Sequence, residues 1–262
     1  MNTWNLYTTF ALPTLAVWIV ALLLYVFSKK TKLANTLTIL GLILYTSYIV
    51  LLWINLERPP MRTMGETRLW YSFFLVLVGF VSHIHWKYKW LMSYSLVVAM
   101  VFVIINIAKP EIHSKNLMPA LQSIWFVPHV TAYMLSYALL GAATITGFRL
   151  LFVKKDSNNT ELIRFTDNIV NIGFGLLMLG MLMGAIWAKE AWGTYWSWDP
   201  KETWAFVTAA AYLVYIHLRW NDRYIRQALW MLPIAFICLM ITWKGVNYLP
   251  SAKNSIHVYG QE

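Results

Sequence analysis

Trp187-Ala188-Lys189-Glu190-Ala191-Trp192-Gly193-Thr194-Tyr195-Trp196-Ser197-Trp198-Asp199-Pro200-Lys201-Glu202-Thr203-Trp204 lies between two apolar runs, each long enough to cross a bilayer. Five tryptophans fall within these eighteen residues, with a tyrosine among them. A belt of interfacial aromatics normally spreads over many helix ends. Here Trp192, Trp196 and Trp198 crowd one short segment, and Gly193 allows close approach of backbone or ligand. Such an aromatic shelf either anchors helices in the headgroups or holds a large planar ligand.

Outward from this segment the pattern repeats. The chain is 59% hydrophobic and 12% charged, about half the charge of a soluble domain of this length. We expect an all-α polytopic membrane protein with about eight transmembrane helices. The spans are read at roughly 10–28, 35–55, 69–86, 90–108, 126–153, 169–188, 202–220 and 226–243. The first run is followed by Lys29, Lys30 and Lys32 and has no small-residue cleavage site after it, so it is expected to be retained as a helix. Thr160 to Asp167 is expected to form a short surface helix before the sixth span. Eight spans put both termini on one side. Twelve lysines and arginines fall in one set of loops and nine in the other, which assigns both termini and the tryptophan loop to the outer (periplasmic) side. The net charge of +10 then reflects inner-face basic residues rather than nucleic acid. The expected division is 1–124, a four-helix part, and 125–262, a core carrying the loop 187–204 and an outer tail 244–262.

Cys238 is the only cysteine and lies in an apolar run. The chain therefore has no intrachain disulfide, no thiolate cluster and no Cys-x-x-Cys-His of its own. Asp199, Pro200 and Glu202 suit an N-cap, a first helical position and a capping box. A cap explains Asp199 and Glu202 in full, and a ligand-site role stands beside it. Gly180 and Gly184 form a small-xxx-small pair, read as tight helix packing.

The six histidines are His83, His85, His113, His129, His217 and His257. The topology puts His129, His257 and the tryptophan loop on one face. Two imidazoles beside an aromatic shelf suit an iron porphyrin, with axial nitrogens above and below the ring. His217 is nineteen residues beyond Trp198, about 28 Å along a helix, and so marks a second site near the inner leaflet. Its bland reading is a helix-end histidine bonded to a carbonyl. His83 and His85 sit at a similar depth.

Trp192 to Thr203 resembles the WWD signature of haem-handling membrane proteins. The continuation Asp199-Pro200-Lys201-Glu202-Thr203-Trp204 is similar to the CcsA (ResC) family of system II cytochrome c biogenesis. Phe126-Val127-Pro128-His129-Val130 resembles that family's first external histidine region. Gly245-Val246-Asn247 through His257-Val258-Tyr259-Gly260 resembles its second, and His217 matches its transmembrane histidine. The resemblance covers roughly 125–262. Before the third span the family's Asn-x-Tyr-Glu type segment is replaced by Arg58-Pro59-Pro60-Met61-Arg62-Thr63-Met64-Gly65-Glu66, so no site is carried from there.

The resemblance implies transport and presentation of haem b, held non-covalently, for attachment to an apocytochrome c Cys-x-x-Cys-His motif. It makes the chain a subunit of a cytochrome c haem lyase (synthetase) in the bacterial inner membrane. The implied iron ligands are His129, His257 and His217, with His83 as an intrachain alternative to a histidine from a CcsB/ResB-type partner. Trp192, Gly193, Trp196, Trp198 and Asp199 are the implied ring contacts. Arg58, Arg62 and Arg68 are candidates for propionates, with a structural role standing beside it. A b-type electron-transfer cytochrome and a transporter of another planar or lipid substrate are the rival classes.

Overall fold

The computed structural model describes residues 5–109, 119–152 and 159–250. It contains eight long helices and three short 3-10 turns, with no strand among the described residues. The helices are α1 (Asn5–Phe27), α2 (Thr31–Leu56), α3 (Met64–Trp86), α4 (Lys89–Ala108), α5 (Phe126–Phe152), α6 (Asn159–Trp192), α7 (Pro200–Leu218) and α8 (Ile225–Trp243). Seven are long and apolar enough to cross a membrane. The remaining one, α7, has the length, but Lys201, Glu202, Thr203 and Thr208 dilute its apolar character. The chain is an all-α integral membrane protein.

Two expectations change. Thr160 to Asp167 is not a separate surface helix. It is continuous with α6, which runs 34 residues, about 51 Å at 1.5 Å per residue. That exceeds the ~30 Å hydrocarbon thickness, so the polar first turns fit an interface without a break. At its other end α6 continues through Lys189 and Glu190 to Trp192. The segment 187–204 is therefore mostly helix, and its irregular part is 193–199.

The chain forms two compact units, Met1–Met118 and Pro119–Glu262. In the first unit, α1 packs on α2 and α4, and α3 packs on α4 and α2. Trp18 lies over Gly41, where a Cβ would come within 2.2 Å of the indole Nε1. Arg58 and Glu66 are buried and form a bidentate pair, Nη1 to Oε2 at 3.0 Å and Nη2 to Oε1 at 2.9 Å. Glu66 also closes a capping box with Thr63 at the start of α3. Asn106 on α4 donates to the Gly65 carbonyl at 3.1 Å. Arg68 Nε donates to the Met64 carbonyl at 2.9 Å. Arg58 thus has the structural role left open by the sequence: its fork and the Glu66 carboxylate satisfy each other away from water.

In the second unit, α5 packs on α6 and α8, and α7 packs on α8 and α6. Hydroxyls join these helices. Ser136 donates to the Gly173 carbonyl at 2.7 Å, and Thr166 donates to Thr146 at 2.9 Å. Thr208 and Thr242 share a hydrogen bond of 3.0 Å between α7 and α8. Within an apolar bundle these bonds add to van der Waals packing as the adhesive between helices.

Candidate functional site

The site is built where α6 ends and α7 begins. Gly193, at φ 83°, takes the left-handed conformation that terminates α6, and its N–H bonds the Lys189 carbonyl at 3.0 Å. Six residues later Asp199 caps α7, accepting from Lys201 N–H at 2.9 Å, with Pro200 as the first helical residue. Glu202 completes the capping box and does more. Its Oε2 accepts from the N–H of Ser197 at 2.7 Å and of Asp199 at 3.2 Å. The residue between them, Trp198, has φ 59°, a strained conformation for a bulky side chain. Thr203 Oγ1 donates to the Trp198 carbonyl at 3.1 Å. The start of α7 thus holds Trp198 in place, and the residue is 64% exposed. Trp198 meets Trp196 edge-on at 5.7 Å between centroids and Phe206 at 5.9 Å. Trp196 Nε1 is a buried donor without a hydrogen-bond partner among the described residues.

A second aromatic group surrounds His129 on the first turn of α5. Trp187 packs against His129 at 5.6 Å, Phe126 at 5.4 Å and Trp192 at 4.8 Å. Trp187 Nε1 donates to the Ala120 carbonyl. One turn along α5, Tyr133 lies 4.5 Å from the imidazole, and Tyr137 stacks on Tyr133 at 5.5 Å. The ring sits over Gly184 of α6, and Tyr133 sits over Gly180. His129 Nδ1 is 2.8 Å from the Gly180 carbonyl oxygen. A carbonyl only accepts, so Nδ1 carries the proton and Nε2 carries the lone pair. That is the tautomer an axial iron ligand needs.

His217 lies near the far end of α7, exposed, in an open depression lined by Ala210, Leu213, Val214, Leu218, Asn221 and Tyr224. Its Nδ1 donates to the Leu213 carbonyl at 2.8 Å, which again leaves the lone pair on Nε2. The helix-end bond expected of a bland histidine is present, and it is also the bond that prepares a ligand. On the opposite face of α7, Tyr215 donates to Asp167 of α6 at 2.6 Å, and Arg219 pairs with the same carboxylate at 2.9 Å. His83 belongs to the first unit. It is buried, edge-on to Tyr25 at 5.3 Å, and its Nδ1 has no hydrogen-bond partner among the described residues. His113 and His257 lie outside the described residues, so the expected outer pair is represented by His129 alone.

Residues 3–252 match the family model described as cytochrome C assembly protein. The chain belongs to that family. It is 31% identical over 277 residues to the cytochrome c biogenesis protein CcsA of Prochlorococcus marinus strain MIT 9301, covering 90% of this chain and 87% of that protein. It is 28% identical to CcsA of Mesostigma viride over 99% of both chains. The likeness to CcsA read from the tryptophan segment thus extends well beyond residues 125–262. Among solved structures, a cytochrome c heme lyase, CcmF, shares the fold at TM-score 0.57 and 15% identity. That match covers 95% of this chain and 49% of the longer CcmF chain.

For a cytochrome c assembly protein the local chemistry fits a haem. One imidazole is held in the ligating tautomer inside an aromatic group. A buried indole N–H without a partner is a donor that a ligand oxygen would satisfy, and such a group costs about 1–3 kcal/mol when left unmet. The exposed faces of Trp198 and Phe206 are apolar. Three features escaped the sequence reading. The bracketing of Trp198 by Glu202 depends on loop conformation. The role of Trp187 depends on tertiary packing. The glycine seats had a signal: His129 and Tyr133 are four apart on α5, and Gly180 and Gly184 are four apart on antiparallel α6.

Proposed function

We propose that this protein acts in cytochrome c maturation by holding haem b non-covalently beside the 193–199 loop and presenting it to apocytochrome c. The observation that carries this reading is His129, fixed with Nδ1–H on the Gly180 carbonyl within the Trp187, Trp192 and Tyr133 group. His257 is the expected second external ligand. The names of the relatives, cytochrome c biogenesis protein and cytochrome c heme lyase, support the same process. The loop faces the outer side of the bacterial inner membrane, with both termini.

Thioether formation adds a cysteine S–H across a vinyl C=C, forming one C–S and one C–H bond with no net loss of atoms or electrons. The contribution of the chain is positioning. His129 and the aromatic rings would hold the iron and the porphyrin in place. The bracketed Trp198 defines one edge of the shelf. His217 holds haem earlier, near the inner leaflet, with a second histidine from a CcsB/ResB-type partner.

The test is spectroscopic. The full chain, purified from membranes in detergent with its partner subunit, is expected to give a b-type spectrum on dithionite reduction. Acid-acetone should extract all of the haem, since Cys238 within α8 is the only cysteine. Haem that stays covalently attached, or absence of a haem spectrum under all loading conditions, overturns the proposal.

A further inference from the structure

We infer that Gly180 and Gly184 of α6 are positioning residues for His129, setting both the place and the tautomer of the imidazole. This rests on the proposed reading of His129 as a haem-iron ligand.

The two glycines do different things. A Cβ at Gly184 would lie 2.7 Å from both Cε1 and Nδ1 of His129, well inside the ~3.5–4.0 Å of an ordinary carbon contact. A Cβ at Gly180 would lie 2.5 Å from Tyr133 Cδ1 and 2.6 Å from Cε1. Gly180 also supplies the carbonyl that accepts from His129 Nδ1 at 2.8 Å. That carbonyl already serves the i→i−4 ladder of α6, so His129 uses its second lone pair. The ring has little room to retreat, because Trp187 and Tyr133 pack against it.

A methyl group at Gly184 therefore displaces the ring from the Gly180 carbonyl. Loss of that bond removes the group that selects the Nδ1–H tautomer and raises the basicity of Nε2. Gly175 is the internal control. It lies on the same helix, and a Cβ there meets nothing within 4 Å.

The experiment compares Gly184→Ala, Gly175→Ala and His129→Ala in the full chain, using haem b titration, the ferric–ferrous midpoint potential and thermal unfolding without haem. Gly184→Ala is expected to weaken haem b binding by about 10–100-fold, the usual range for loss of an outer-shell partner. It should also raise the midpoint potential, because a weaker donor favours ferrous iron. Gly175→Ala should match the unsubstituted protein in both. Without haem, Gly184→Ala should lower the unfolding temperature in the native background but not when combined with His129→Ala, where the opposing ring is gone. If Gly184→Ala alone fails to accumulate, the double variant should recover. Gly184→Ala behaving like Gly175→Ala, while His129→Ala alters the spectrum, overturns the seat and leaves the ligand reading standing. So does a double variant that fails to recover. An unaltered spectrum in His129→Ala overturns the ligand reading, and this inference with it.

Discussion

Glu202 holds Trp198 from both sides. One carboxylate oxygen accepts from the N–H before the tryptophan and from the N–H after it, at 2.7 and 3.2 Å. The same side chain caps α7. Cap and loop are therefore one structure, and the strained φ of Trp198 is maintained by the start of the helix.

Glu202→Ala leaves two loop N–H groups without their acceptor and should cost about 1–2 kcal/mol, as lost caps do. Thermal unfolding in detergent reads the loss, and haem b retention should fall with it. Glu202→Gln keeps a carbonyl oxygen in the same place and should stay close to the native protein in both measurements. A Gln variant as impaired as the Ala variant would show that the charge itself is required, beyond the cap.

The buried pair Arg58–Glu66 makes the opposite kind of prediction. Removing one partner strands a charge at a site where Arg58 is 6% and Glu66 0% exposed. Glu66→Ala should cost about 3–5 kcal/mol and sharply reduce accumulation in membranes. Arg58→Lys should be milder, keeping a cation beside Glu66 but losing part of the stabilisation, since an ammonium cannot reproduce the bidentate fork. Normal accumulation of Arg58→Ala with loss of bound haem would return Arg58 to the role of a propionate partner.

What the sequence disclosed follows from where the forces are local. Long apolar runs announced the helices, and Asp199-Pro200-Lys201-Glu202 announced the α7 cap, because both depend on neighbours in sequence. The ends of α6 were misplaced. Lys189 and Glu190 look like a helix stop, yet the last turn continues, and there Trp192 packs on Trp187. The Arg58–Glu66 pair spans a loop whose conformation no periodicity encodes. Gly180 and Gly184 were visible as small residues, but what they accommodate appears only once α5 and α6 are in register. His257 was recognised from its motif, and it lies outside the described residues.

His129→Ala and His257→Ala should each abolish cytochrome c assembly, with partial recovery on adding imidazole. Loss of an axial nitrogen opens a position that the free base can occupy. For His129 the space vacated is bounded by Trp187, Tyr133 and Gly184, so imidazole should be accepted better than bulkier methylimidazoles. Normal maturation in both single variants would sink the outer site.

His217 should behave differently, and Asp167 gives the reason. Tyr215 and Arg219 are two residues before and after His217, about 200° around the helix, and both bind Asp167 on α6. This anchor fixes the C-terminal end of α7 and turns His217 towards its depression. If haem is held at His217 before it reaches the outer face, as proposed, His217→Ala should lower total haem at both depths. Asp167→Ala should reproduce part of that loss with His217 intact, and should cost about 1–3 kcal/mol from the two unmet donors. Asp167→Asn, which still accepts from Tyr215, should fall between. Quantifying haem per chain in the three variants, beside unfolding temperature, separates the effects. An outer site that fills normally in His217→Ala would remove the inner-to-outer order and leave His217 as a helix-end histidine bonded to Leu213.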